Sequence, residues 1–240
     1  MKLWDVNWSD YATAYDLMAT HNPAYQEIRE RALLEFGKHP FREGDRIADI
    51  GGGTGNFSIA IAELCPQCEV IHVEPDPTMA SAAESKANKM GLSNWSLVRS
   101  SAESWIREAP SLAGVITVHS LYTMPNPQHT IQQISHKLLP GGLWFICDLG
   151  RKMRILDWAA YLWRANAKRY GILRTLKMFS RGYPVLTANR AISKMQHCGT
   201  FWRHQSEEFS TVLLDSGLSI VRQEVAYRGY SDLAVCLRST

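Results

Sequence analysis

Residues Arg46–Phe57 read RIADIGGGTGNF, and the fold of the whole chain turns on them. The apolar run Ile47-Ala48-Asp49-Ile50 predicts a short strand ending in four glycines within five positions, with helical residues following from Asn56. A strand that passes through a glycine turn into a helix start gathers backbone N–H groups and the positive end of a helix dipole at one point. Glycine there removes the Cβ atoms that would hold a ligand off the backbone. The stretch therefore predicts a nucleotide- or cofactor-binding turn.

Spacing narrows the choice. Counted from Gly51, the last position of a dinucleotide fingerprint falls on Asn56, and no Lys stands nearby as a P-loop requires. What remains is Asp49-x-Gly51-x-Gly53-x-Gly55. This resembles the first motif of the class I, Rossmann-like S-adenosylmethionine-dependent methyltransferases of small-molecule type, an acid followed by G-x-G-x-G. The resemblance covers roughly residues 10–150 and 205–240. It implies an α/β fold with a doubly wound, mostly parallel seven-stranded sheet, and S-adenosylmethionine as cofactor.

Composition sets the frame. A chain of 240 residues, 45% of them apolar, suits a single α/β domain with an insertion. Residues 1–40 read as a helical N-terminal cap and 151–205 as a helical lid placed after strand five. No apolar run reaches membrane-spanning length, and MKLWDVNWSDYA lacks the apolar stretch of a signal peptide. Five cysteines, with Cys147 and Cys236 in apparent strands, favour reduced thiols and a cytoplasmic setting. Cys65-Pro66-Gln67-Cys68 is a lone CxxC without a second ligand pair, so no metal is expected.

The net charge of +3 conceals an asymmetry. From Arg151 to His204 there are 12 Lys/Arg and one acid, Asp157, a local charge of +11; the remainder carries −8. Such a segment, with Trp158, Tyr161 and Trp163 among Arg164, Lys168 and Arg169, suits an anionic apolar substrate, an acidic carrier protein or a membrane surface. Charges solvated or paired with the acidic remainder are the plainer reading.

In chain order, Trp4, Trp8, Tyr11 and Tyr15 lead into an amphipathic helix from Pro23 to Phe36, with Gly37 as its expected stop. An aromatic stripe of this kind serves a core; in the resembled family it also packs over the cofactor, which makes Tyr11 and Tyr15 site candidates. Strand two, Glu69–Val73, ends at Glu74-Pro75-Asp76. Glu74 lies 23 residues past Gly51, where α/β nucleotide folds place an acid that accepts both hydroxyl hydrogens of a ribose. Met79, one turn into the next helix, is an adenine contact or a core residue.

Strand three, Trp95–Arg99, precedes Ser100-Ser101-Ala102-Glu103. The resembled family often has an Asp before the Ala, and here Ser101 stands in its place. Ser101, Ala102 and Glu103 are thus candidates for the adenine end, Glu103 equally for a helix first turn. Strand four, Gly114–Val118, ends in His119-Ser120-Leu121-Tyr122. A helix over Pro127–Leu138 and the LPGG lead at 139–142 introduce strand five, Leu143–Asp148. Met153–Phe179 reads as one or two helices, broken at Gly182-Tyr183-Pro184; a later helix ends near Asp215, and two strands follow. Strand–helix alternation predicts a parallel sheet whose ligands gather at the strand carboxyl ends, where Asp49, Glu74, Ser101 and His119 collect.

Methyl transfer from a sulfonium rests chiefly on positioning and desolvation. A base is needed only where the acceptor is protonated. His119 is the first candidate for both cofactor contact and base, its ring suited to the base role if it titrates near neutrality. Tyr122, Tyr15 and His129 follow. The strand-four end HSLY differs from the Asn/Asp-Pro-Pro-Tyr/Phe of adenine and amide N-methyltransferases, which argues against a nucleic-acid acceptor. The expectation is O- or N-methylation of a small apolar, anionic metabolite. A non-methylating enzyme of the same fold, a binding protein for an acidic partner or membrane, and a homo-oligomer stay open.

Overall fold

A computed structural model describes residues 8–239; Trp4 and the side chains of Trp8 and Tyr11 lie outside the described residues. Helices α1 (Trp8–His21) and α2 (Pro23–Lys38) precede strand β1 (Arg46–Ile50). There follow α3 (Ser58–Leu64), β2 (Glu69–Val73), α4 (Pro77–Lys89), β3 (Trp95–Val98), α5 (Ala102–Glu108), β4 (Leu112–Val118), α6 (Pro127–Lys137) and β5 (Leu138–Leu149). Helices α7 (Ile155–Tyr170), α8 (Ile172–Arg181) and α9 (Tyr183–His197) are inserted before α10 (Ser206–Asp215), β6 (Leu218–Ala226) and β7 (Ser231–Arg238).

The helix starts follow from local chemistry. Asn22-Pro23, Asp76-Pro77 and Asn126-Pro127 each pair a capping side chain with a proline in the first turn, opening α2, α4 and α6. The stops were less legible. Gly37 does not end α2: its φ is not positive, and the helix runs on to Lys38, where the His39 N–H closes on Glu35. Gly182-Tyr183-Pro184 does break the helix: α8 ends at Arg181 with Gly182 as its C-cap, and α9 begins at Tyr183 with Pro184 in its first turn. Gly171, at φ 81, is the left-handed residue that separates α7 from α8.

The sheet order is β3-β2-β1-β4-β5-β7-β6, parallel except for β7, which runs antiparallel to both its neighbours. Successive side chains face opposite layers. Thus Ile47, Phe145 and Cys147 pack into one core with Phe36 and Ile61, whereas Ala48, Trp144 and Ile146 pack into the other with Ile131 and Leu213. The buried Trp144 indole N–H donates to Thr117 Oγ1 at 3.1 Å, so strand β5 buries its largest ring without an orphan donor.

From β1 the chain proceeds outward through β2 and β3, then returns to place β4 on the other side of β1. This reversal opens a crevice beyond the carboxyl ends of β1 and β4. Among the described residues, no helix is long and apolar enough to cross a membrane.

Candidate functional site

The glycine turn sits at that reversal and is held from beneath. Gly51 N and Gly52 N both donate to the Val73 carbonyl, at 2.8 and 3.3 Å, and Gly55 N donates to Gly52 O at 3.0 Å. Gly53 N donates to Glu74 Oε2 at 2.9 Å. The four glycine amides are thus engaged inside the turn. The start of α3 is also taken, because Ser58 N donates to Asp49 Oδ2 at 3.0 Å. Asp49, a predicted cofactor contact, is buried and faces α3, serving as the anion at that helix's own N-terminus.

A residue that the sequence reading passed over explains the packing. His72, on the buried face of β2, places Nε2 3.1 Å from the Gly53 carbonyl and Nδ1 2.9 Å from Ser58 Oγ. The carbonyl can only accept, so Nε2 carries the proton. A Cβ on Gly52 would lie 2.4 Å from the His72 ring and 2.6 Å from Asp49 Oδ2. The one signal for this was His72 itself, a polar residue at a buried position of a strand.

The remaining glycines form the upper surface. Gly51, Gly53 and Gly55 have φ of 70, 58 and 81°, and Met79 Sδ lies 3.6 Å from where a Gly53 Cβ would stand. Met79 is buried, while Pro75 beside Glu74 is exposed. Glu74 is buried with each carboxylate oxygen accepting one backbone N–H, from Gly53 and from Asp76 at 2.8 Å. Burial raises its pKa, and the two amides pull it back. Each oxygen keeps a lone pair, enough for a diol.

The end of β3 leads into the start of α5. Ser101 caps α5: its Oγ accepts from Ser104 N and contacts Ser104 Oγ at 3.3 Å, so its hydroxyl is engaged locally. Ala102 is buried in the core under that helix. Glu103 lies in the first turn, and its Oε1 is buried with no hydrogen-bond partner.

Helix α1 closes over the turn from the other side. Asp16 accepts from Thr54 Oγ1 at 2.7 Å, Asn56 Nδ2 at 3.2 Å and Lys86 Nζ at 3.0 Å, tying α1 to the turn and to α4. Asn56 is held in this cluster, and α3 starts at Ser58 rather than at Asn56. Tyr15 makes an edge contact with Tyr25, which in turn packs against Phe57.

On the β4 side, Ser120 abuts Gly51, its Cβ 2.5 Å from where a glycine Cβ would be built, and its hydroxyl donates to Ile50 O at 2.9 Å. Next to it, His119 takes φ 53°, a conformation costly for a non-glycine residue. His119, Tyr227 and Arg228 are the non-glycine residues with positive φ among those described, and the His119 and Tyr227 rings lie 4.4 Å apart. Burial lowers the His119 pKa to about 3, with only Ser231 Oγ at 3.0 Å and Cys147 Sγ at 3.8 Å beside its Nε2. Among the described residues no carboxylate offsets this burial, which opposes the expected near-neutral titration. Tyr122 is buried against Phe201 and its phenol is pushed up by burial. His129 is exposed in the first turn of α6.

The contacts continue outward from His119. Tyr227 receives Asn22 Nδ2 on its hydroxyl at 3.0 Å and lies 4.5 Å from the Trp158 ring. Arg228 stacks over Trp158 and Tyr161 and pairs with Asp157 Oδ2 at 2.9 Å, so the only acid of the basic segment anchors α7. Trp158 then lines an apolar cavity of about 200 Å³ between α1, α7, α8 and α9, together with Leu17, Leu162, Met178 and Phe179. Two wall residues carry polar atoms that are buried without partners, Trp158 Nε1 and His21 Nδ1. A larger groove of about 410 Å³ lies between α1, α2, α3 and α4, lined by Gly55 and Asn56 of the turn together with Arg29 and Lys86.

Sequence reading also missed a buried polar cluster below the crevice. Asp232 accepts from Arg151 at 2.9 and 3.1 Å and from Ser206 Oγ at 2.6 Å, with His204 Nδ1 at 3.2 Å. Burial opposes its charge, but His204, Ser206 and Arg151 prevail and hold its pKa down. Asp148, whose Oδ2 is 4.0 Å from His204 Nε2, has its pKa raised by burial to about 7.

Residues 19–223 match a family described as "Methyltransferase domain". A ribosomal RNA small subunit methyltransferase G from Stenotrophomonas maltophilia (strain K279a) is 30% identical over 130 residues, 54% of this chain and 58% of that protein. The curated relatives are matched over 16% to 58% of their own length, less than two thirds in each case. Among solved structures, magnesium protoporphyrin IX methyltransferase (ChlM) from Synechocystis PCC 6803, with bound SAH, is similar at TM-score 0.61 and 15% identity, over 90% of this chain and 84% of that one. A SAM dependent methyltransferase from Aquifex aeolicus gives TM-score 0.59 at 15% identity, over 93% and 97%. At these identities the likeness is one of fold.

Proposed function

This chain belongs to the methyltransferase-domain family, and on that premise we propose that it moves a methyl group from S-adenosylmethionine to a small apolar acceptor bearing an oxygen function. The residues at the crevice fit this cofactor: a buried carboxylate at the end of β2, tied to the glycine turn, asks for a diol. Glu74 would hold the ribose hydroxyls, and Gly51, Gly53 and Gly55 the close approach. Met79 would cover the adenine. The unpaired Glu103 oxygen would take the exocyclic amine that Ser101 is too engaged to bind.

The observation that carries the acceptor reading is an unbroken line of contacts. It runs from Gly51 through Ser120, His119 and Tyr227 to Trp158 and the apolar cavity. The cofactor supplies an electrophilic methyl group on a sulfonium; the chain must place an acceptor atom in line with it and keep water out. Apolar walls exclude the water. The unpartnered Trp158 Nε1 is a donor in search of an oxygen, which orients the acceptor and favours a carboxylate, phenol or carbonyl neighbour. His119, neutral and fixed on Ser231, positions this wall and does not serve as a strong base. The domain reading follows: α1–α2 as cap and α7–α9 as lid over one methyltransferase domain.

Calorimetric titration with S-adenosylmethionine and its demethylated product tests the first half. Methyl release against a panel of apolar carboxylic acids and phenols tests the second. If neither form of the cofactor binds the purified chain, the proposal fails.

A further inference from the structure

We infer that α8 is a docking surface for an anionic lipid bilayer, standing between that bilayer and the apolar cavity. The helix spans Ile172–Arg181 between two glycines and divides into three sectors. Thr175 is buried, and Met178 and Phe179 are partly buried on the side that lines the cavity. Ile172, Leu173 and Leu176 face outward with 64, 84 and 51% of their surface exposed. Arg174, Lys177 and Arg181, spaced to share a face, occupy the third sector; all are exposed, and none forms an ion pair among the described residues. No acid lies on the helix, and Lys168 and Arg169 extend the charge at the end of α7.

A single exposed leucine is ordinary, but three neighbouring branched aliphatics on one face of a ten-residue helix ask for an apolar phase. Cations alone would suit an acidic protein. Aliphatics flanked by cations suit the boundary where acyl chains meet anionic headgroups. The helix lies on such a surface and does not span it, since it has neither the length nor the apolarity. An apolar acceptor dissolved in the bilayer would then reach the cavity by passing beside one helix. That delivery role rests on the proposed function; the docking surface does not.

The test is co-sedimentation of the full chain with phosphatidylcholine vesicles and with vesicles also containing phosphatidylglycerol. The bound fraction should rise about tenfold on the anionic vesicles. Leu173→Ser with Leu176→Ser, and separately Arg174→Glu with Lys177→Glu, should each lower it about tenfold, with melting temperature and S-adenosylmethionine affinity unchanged. A wild-type chain that stays in the supernatant overturns the proposal. So does an aliphatic double variant that binds like wild type, which would leave only the cations at work, as for an acidic protein. Vesicle binding without cofactor binding would instead sink the methyl-transfer reading and leave this surface standing.

Discussion

Glu74 Oε2 accepts the Gly53 N–H at 2.9 Å, which makes the acid at the end of β2 and the turn at the end of β1 one rigid unit. Replacing Glu74 by Gln keeps the shape but loses the charge. Hydrogen bonds to charged acceptors contribute about 1.5–3 kcal/mol. Glu74→Gln should therefore weaken S-adenosylmethionine binding by roughly 10- to 100-fold in calorimetry, and an unchanged affinity removes Glu74 from the ribose site.

Two glycines should respond in opposite directions to alanine. At Gly52 the new Cβ would meet the His72 ring at 2.4 Å, and neither ring nor backbone can retreat. Gly52→Ala should cost at least about 1–3 kcal/mol in urea unfolding. At Gly37, inside α2, the nearest atom is Leu64 Cδ2 at an ordinary 3.6 Å, so Gly37→Ala should stabilise by up to about 1 kcal/mol.

His119 should stay neutral through the physiological range, because burial puts its pKa near 3. Its ring resonances should not titrate between about pH 5 and pH 8 in an NMR series, where an unperturbed His would pass its midpoint near 6.5. A midpoint inside that window would restore it as a candidate base.

Asp148 makes stability depend on pH. Its pKa is raised by burial to about 7, against an ordinary carboxylate value near 4. Between these the native state holds a proton that the unfolded chain has released. Stability from this group is therefore full below about pH 4 and is lost as pH rises through 7. Asp148→Asn, which cannot ionise, should melt higher relative to wild type at pH 8 than at pH 5; a gap that does not change with pH would refute the shift.

Trp158→Phe removes the indole N–H and keeps an aromatic wall. With a neutral hydrogen bond near 1 kcal/mol, the KM for the acceptor should rise about fivefold while cofactor affinity holds. Equal acceptor kinetics would mean that Trp158 Nε1 meets no oxygen.

The fold was largely readable in advance because its signals are local. Alternating apolar runs set the strands, and Asx-Pro pairs set three helix starts. The helix end at Gly37 misled, since that glycine keeps a negative φ and the helix runs on to Lys38, whereas the break at Gly182 was legible. The site was legible in part. Asp49, Glu74 and the glycines stood out by spacing, but spacing does not show which way a carboxylate points.

Sequence by itself determined the order of elements, the position of the glycine turn and the concentration of positive charge in 151–204. Tertiary structure alone decided that Asp49 turns inward to α3 while Glu74 holds Gly53, that burial pushes the His119 pKa down, and that α8 bares its leucines. Those outcomes depend on which partners long-range packing brings within hydrogen-bonding distance and how much water it leaves, and neither is written in local sequence.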